Sequence, residues 1–126
     1  MFGRQRQPMP SMPSEQAVGP LRDILHHIDL ADQFVQGFGR DAFKTDVRTV
    51  YAVTRCLEII SEASRRLPDE LKMRHQHIAW RQMAAAGNVY RHDYEDVAAQ
   101  FVWDTVQHAL PLLRAVVERE LKGRGL

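Results

Sequence analysis

The sequence predicts an all-α protein built as a bundle of four main helices. Three observations indicate this fold class. Apolar residues recur at three- and four-residue steps along most of the chain, no segment alternates polar and apolar residues as a strand does, and no internal repeat is present. The chain has 126 residues, of which 44% are apolar, and this suits a single domain with one core.

The first helix is predicted from Leu21, because the apolar residues that follow lie on one stripe. That stripe consists of Leu21, Ile24, Leu25, Ile28, Ala31, Phe34 and Val35. Pro20 precedes it, where a first helical turn tolerates proline, and Gly37 and Gly39 are expected to end the helix. Residues 1–19 contain three closely spaced prolines and no apolar periodicity, so they are predicted to form a flexible tail.

A second helix is predicted from about Asp41 or Thr45 to Leu67, where Pro68 stops it. Its inward residues are expected to be Val47, Val50, Tyr51, Thr54, Leu57, Ile60 and Ala63. A polar stretch follows, with room for one turn of helix.

Two further helices complete the predicted domain, which covers residues 20–122 and leaves 123–126 as a C-terminal tail. A short, Ala-rich helix is expected from about Trp80 to Arg91. The last helix is expected from Asp96, as its N-cap, to about Lys122, and Pro111 should kink it by removing one backbone hydrogen bond. Its core-facing residues are predicted to be Phe101, Thr105, Val106, Ala109, Leu113, Val116 and Val117.

Composition excludes several classes of protein. The net charge is +1, which argues against a nucleic-acid coat protein but leaves room for a local basic patch. One cysteine, Cys56, allows no intrachain disulfide and is expected to be a buried, inert thiol. No apolar run approaches the roughly 20 residues that span a bilayer, and no secretory signal is recognisable, so a cytoplasmic protein is expected.

Metal chemistry is not expected either. A di-metal site in a helical bundle needs Glu-x-x-His pairs, and no Glu in this sequence has a His three residues later. His75 and His77 lie in the polar stretch and are interpreted as solvated loop histidines, while the adjacent His26 and His27 are interpreted as structural. No metal and no cofactor are predicted.

The segment from Ile78 to Tyr94 carries the candidate chemistry. Asn88 and His92 are four residues apart and share a helix face, so an amide and an imidazole project together. The imidazole can exchange protons near neutral pH, and positive charge is supplied by Arg74, Arg81, Arg91 and Lys72. The pattern fits a phosphodiester-cleaving site, and it also fits an ordinary solvated helix end.

From about Leu21 to Leu121 the chain resembles HepT, the toxin of the HEPN/MNT (type VII) toxin–antitoxin pairs, where HEPN stands for higher eukaryotes and prokaryotes nucleotide-binding. The resemblance lies in Leu-Arg-Asp-Ile at 21–24, Leu-Glu-Ile-Ile-Ser-Glu-Ala at 57–63, Ile-Ala-Trp-Arg at 78–81, Asn88 with His-Asp-Tyr at 92–94, and Val-Trp-Asp-Thr-Val at 102–106. It implies an up-down HEPN four-helix bundle with an extra short helix. It also implies a metal-independent endoribonuclease that acts as a homodimer, with its site at the dimer cleft.

The resemblance further implies roles for individual residues. His92 matches the catalytic histidine, Asn88 the polar residue before it, and Tyr94 the tyrosine to which an MNT-type nucleotidyltransferase antitoxin attaches AMP. An RNA-binding cleft is expected to include His92 and Arg91, with Arg81 and Arg74 nearby. Which RNA and which bond are cut is not predicted by the sequence.

Gly87 departs from the family pattern, which has an arginine at that catalytic position. A guanidinium would stabilise the negative charge that develops on phosphorus during RNA cleavage, and glycine supplies none. Gly87 can be an Arg→Gly inactivation, or a natural variant that binds without cutting or cuts with Arg91. Alternatively, Ala85, Ala86 and Gly87 allow another helix to approach closely. The alternative function is a non-catalytic HEPN module that dimerises and binds a nucleotidyltransferase or RNA.

Overall fold

The computed structural model describes residues 16–87 and 95–126. These residues form seven α-helices and one π-helical segment, and they contain no strand, so the predicted all-α class is confirmed. The helices are α1 (Val18–Val35), α2 (Arg40–Thr45), α3 (Val47–Arg65), α4 (Asp69–Arg74), α5 (Trp80–Ala85), α6 (Glu95–Asp104) and α7 (Leu110–Gly123), with the π segment Thr105–Ala109 joining α6 to α7.

The core lies between α1, α3 and the long rod formed by α6, the π segment and α7. Its fully buried side chains include Leu21, Ile24 and Ile28 of α1, Val53, Leu57 and Ile60 of α3, and Val102, Leu113 and Val117 of the rod. Each such side chain contributes about 1.5–3 kcal/mol relative to an exposed one. The short helix α2 packs on α6 and α3, and α5 packs on α3.

Helix α1 begins earlier and has a narrower buried face than the sequence predicts. It starts at Val18, with Ala17 buried before it and Pro20 in its first turn, so residues 18 and 19 belong to the helix and not to the tail. Phe34 was expected to face inward but is 39% exposed. The reason is geometric, because Phe34 lies about 100° round the helix axis from Val35, which packs on the core.

The predicted second helix is divided at Asp46 into α2 and α3. The Asp46 carboxylate accepts a hydrogen bond of 3.0 Å from the Thr49 N–H and so caps α3. The prediction that Val47 and Tyr51 face inward is wrong, because they are 62% and 68% exposed. Tyr51 is six residues from the buried Leu57, which places it about 120° away round the axis.

Pro111 was predicted to kink the last helix, and the structure has a π-helical segment immediately before α7, in whose first turn Pro111 lies. The wider turn accommodates a residue that has no N–H to donate and whose ring crowds the preceding turn. Residues 124–126 fold back on the end of α7, since the N–H groups of Gly125 and Leu126 donate to the carbonyls of Lys122 and Leu121 at 3.0 Å each. Across the described ranges, no helix combines the length and apolar character needed to cross a bilayer.

Candidate functional site

The candidate site begins where α5 ends. Gly87 follows α5 in a short 3₁₀ turn and belongs to the described residues. Asn88, Arg91, His92 and Tyr94 lie outside them, so the roles assigned to these four residues stay predictions.

Side chains of α3 hold the end of α5 in place. The Ser61 hydroxyl donates to the Met83 carbonyl at 2.8 Å, and the Arg65 guanidinium donates to the Ala84 carbonyl at 2.6 Å. Carbonyls in the last turn of a helix have no partner within the helix, so these bonds satisfy groups that would otherwise need water. Ser61 is fully buried, and its oxygen also accepts a hydrogen bond of 3.1 Å from the Gly87 N–H.

Gly87 lies against the backbone of α3. A β-carbon at this position would be 3.3 Å from the Glu58 α-carbon and 3.6 Å from the Ser61 β-carbon. The first distance is tighter than ordinary van der Waals contact, so a side chain would require the helices to separate by a few tenths of an ångström. This contact favours the interpretation that a small residue here lets two helices approach closely.

A surface groove of ≈ 280 Å³ runs along α3 beside Gly87. Its charged lining residues are Arg55, Glu58, Glu62 and Arg65, which repeat at three- and four-residue steps along one face of α3. Sequence reasoning missed this face. The signal was the spacing of the charges, which could be recognised only once α5 was known to pack beside α3.

The two carboxylates of the groove have arginine partners. Glu58 pairs with Arg55 at 3.4 Å, and Glu62 pairs with Arg66 at 3.3 Å. Arg65 differs from Arg55 and Arg66, because no carboxylate oxygen of residues 16–87 and 96–126 lies within 4.0 Å of its guanidinium. Its guanidinium donates instead to the Ala84 carbonyl, and this bond keeps it at the end of α5.

Arg74 and Arg81, which the sequence analysis placed near the RNA-binding cleft, do not line this groove. Arg81 is exposed on α5. Arg74 donates two hydrogen bonds, at 2.9 and 3.3 Å, to the Glu120 carboxylate of α7, and these bonds raise the pKa of Arg74. Their contact with RNA remains a prediction.

His75 also binds Glu120, which corrects the expectation that it is a solvated loop histidine. It is 8% exposed, and its Nε2 lies 2.6 Å from a Glu120 oxygen, whereas His77 is exposed as expected. Burial by itself would raise the pKa of Glu120, but hydrogen bonds from Arg74, Arg124 and His75 outweigh it and lower that pKa to about 2. Within the described part of the chain, no three potential ligands are grouped to hold a metal ion.

Cys56 is buried in α3, and desolvation raises the pKa of its thiol. The prediction of a buried cysteine is confirmed. Its inertness stays a prediction, which the raised pKa supports because a protonated thiol is a poor nucleophile.

Comparison with known proteins identifies the class. Residues 24–120 match the family described as "Ribonuclease HepT-like". The chain is therefore an all-α HEPN protein of the ribonuclease class, and it belongs to the HepT-like ribonuclease family.

Named relatives agree with this assignment. The chain is 36% identical over 99 residues to "Probable ribonuclease HepT" of Thermococcus cleftensis, covering 79% of this chain and 90% of the relative. It is 29% identical over 111 residues to "Putative RNase MJ1216" of Methanocaldococcus jannaschii, covering 88% and 92%. It is also 29% identical over 102 residues to "Putative RNase TTE0752" of Caldanaerobacter subterraneus, covering 81% and 91%. No solved structure matches the chain.

Proposed function

We propose that this protein is the toxin of a type VII HEPN/MNT toxin–antitoxin pair, an endoribonuclease that cleaves RNA in the cytoplasm without a metal ion. Its membership of the HepT-like ribonuclease family carries the proposal, because the matched region, 24–120, includes the whole segment 87–94. The site would be shared between two copies of the chain, with the two His92 side chains facing each other.

Within this proposal, His92 acts as general base and then general acid. It takes the proton of the ribose 2′-hydroxyl as that oxygen attacks the adjacent phosphorus, and an imidazolium can protonate the leaving 5′-oxygen. Asn88 contributes an amide that binds the phosphate or the ribose. A metal ion is not required, because the nucleophile belongs to the substrate itself.

Gly87 leaves this site without the guanidinium that would stabilise the extra negative charge on phosphorus. We therefore expect much reduced cleavage by the chain as it stands. Gly87→Arg should increase RNA cleavage and growth arrest, by about 10- to 100-fold if the new group makes one charge-assisted contact in the transition state. The measurement compares Gly87→Arg with the unchanged protein and with His92→Ala, which should be inactive.

The thermal unfolding of Gly87→Arg is measured alongside its activity, because the new side chain meets the Glu58 α-carbon. A folded Gly87→Arg variant that cleaves no faster than the unchanged protein would contradict the assignment of position 87 to the missing charge.

Regulation is proposed to occur at Tyr94. The phenolic oxygen would attack the α-phosphorus of ATP bound by an MNT-type nucleotidyltransferase, and pyrophosphate would leave. Incubation with that enzyme and ATP should add the mass of one AMP to the chain, and Tyr94→Phe should abolish the addition. Failure to modify the unchanged protein under conditions where the two proteins bind each other would contradict this role.

A second candidate function is a non-catalytic HEPN module that dimerises and binds the nucleotidyltransferase or RNA. The tight packing of Gly87 on α3 favours it, since the glycine has a structural use that does not depend on lost activity. Such a module would bind the nucleotidyltransferase, remain unmodified, and cleave no RNA under any condition.

A further inference from the structure

We propose that Arg65 is a phosphate-binding residue for RNA, and that the phosphate lies in the groove between α3 and the end of α5. This inference rests on the proposed function in one respect, namely that the ligand is an RNA strand. Arg65 lies outside the sequence motifs that carry the family resemblance, so those motifs do not predict this contact.

The position of Arg65 suits this role. It lines the same groove as Gly87, and the Gly87 position contributes no side chain to that groove. One guanidinium N–H is used in the bond to the Ala84 carbonyl, at 2.6 Å. Since a guanidinium has five N–H donors in a planar fork, four donors are left for a ligand.

The same bond prepares Arg65 for binding. A long arginine side chain normally loses conformational entropy when it is fixed on a ligand. Here part of that loss has already occurred, because Nη1 is held at the C-terminal end of α5. A phosphate in the groove would therefore meet a guanidinium that is already oriented.

The ion pairs of the groove single out the same residue. Glu58 is paired with Arg55, and Glu62 is paired with Arg66, which also pairs with Asp23. Arg65 has no carboxylate partner among the described residues, so its guanidinium is not engaged by an ion pair there and can take a phosphate. RNA phosphates are the complementary ligand, and arginine binds them with two parallel hydrogen bonds.

RNA binding by the full chain tests this inference. The probe is a fluorescent single-stranded RNA of mixed sequence with 2′-O-methyl riboses, which cannot be cleaved through the 2′-oxygen. Arg65→Gln is expected to weaken its binding about tenfold or more, as the loss of a charge-assisted contact does. The slope of log K against log salt should become shallower by about 0.7, because one phosphate contact to a single strand is lost.

Arg119→Gln is the matched control. Arg119 is an exposed arginine of α7 that does not line the groove, so this variant loses the same charge elsewhere. It should leave both the affinity and the salt slope close to those of the unchanged protein. Equal losses in the two variants would show that only overall charge matters, and would overturn the inference.

Two further variants separate binding from folding, since Arg65→Gln also removes the bond to Ala84. Arg65→Lys keeps the charge, and it should retain the salt slope while losing a smaller part of the affinity. Arg65→Gln combined with Gly87→Arg should regain affinity, because the second substitution places a guanidinium in the same groove. Unfolding temperatures are measured for every variant, and failure of both rescues in folded proteins would overturn the inference.

The failure of this inference and that of the proposed function are distinguishable. If unmodified RNA is cleaved but Arg65→Gln binds the probe as tightly and with the same salt slope, the groove is not a phosphate site and the enzyme assignment stands. If no RNA is cleaved, but Arg65→Gln lowers the affinity for the probe and Arg119→Gln does not, the phosphate site in the groove is supported and the catalytic proposal fails. Absence of any RNA binding by the unchanged protein would overturn both.

Discussion

Glu120 accepts hydrogen bonds from Arg74, His75 and Arg124, so a single carboxylate joins the end of α4 to α7. Its pKa is lowered to about 2 from an ordinary value of 4.5. A carboxyl whose pKa is lower in the folded state stabilises that state above the unfolded pKa, and the contribution is lost as the pH falls from about 4.5 to 2.

Glu120→Gln is therefore expected to lower the free energy of unfolding by about 2 kcal/mol at pH 7, because it removes the charge that three donors share. The difference from the unchanged protein should shrink as the pH approaches 3. Urea denaturation at both pH values measures it. Glu118→Gln is the control, since Glu118 lies on the same helix, is more exposed, and approaches Arg114 only to 3.8 Å. A Glu120→Gln effect independent of pH would contradict this account.

At the scale of helices, Asp46 determines where α3 begins. Its carboxylate accepts the Thr49 N–H, and this hydrogen bond, the largest cause, lowers the pKa of Asp46. Asp46→Ala should lower the thermal midpoint by a few degrees because the cap is lost. Asp46→Asn should retain most of the stability at pH 7, since asparagine also caps helices. Equal midpoints for the alanine variant and the unchanged protein would show that the cap does not contribute.

The helices were predictable where one stripe of apolar residues repeats, and less so where several stripes compete. Leu57 and Ile60 were placed inward correctly, whereas Tyr51 and Phe34 satisfied a three- or four-residue step without lying on the buried face. A rule based on three- and four-residue steps permits a residue to move round the helix axis, away from the buried face. Each step differs in angle from a full helical turn, and these differences add up along the helix. The division at Asp46 was also missed, since its capping bond depends on the backbone leaving the helix there.

At the candidate site too, the sequence motifs could be recognised locally, whereas contacts between residues far apart in the sequence could not be predicted. The family resemblance indicated Gly87 as the unusual position, but its packing contacts are with Glu58 and Ser61, the second of them 26 residues earlier in the chain. His75 was misplaced because its partner, Glu120, is 45 residues away. Contacts of this kind follow from tertiary packing, and no local sequence pattern predicts them.

At the scale of the whole molecule, the proposed cleavage depends on self-association. Two chains must meet for two His92 side chains to share one site, so activity per chain should fall when dilution separates the dimer. Mixing Gly87→Arg protein with an excess of His92→Ala chains should lower the activity per active chain, because mixed dimers form. The same excess of an unrelated protein is the control. A strictly monomeric protein in sedimentation at micromolar concentration would contradict the shared site.

The contact at Gly87 has one more consequence, for how this position can change over time. The nearest atom that a new β-carbon would meet is an α-carbon at 3.3 Å, so shortening a neighbouring side chain does not relieve this contact. A larger residue therefore requires the main chains at Gly87 and Glu58 to move apart by a few tenths of an ångström. Tolerance of a substitution at this position thus depends mainly on that shift of the main chain.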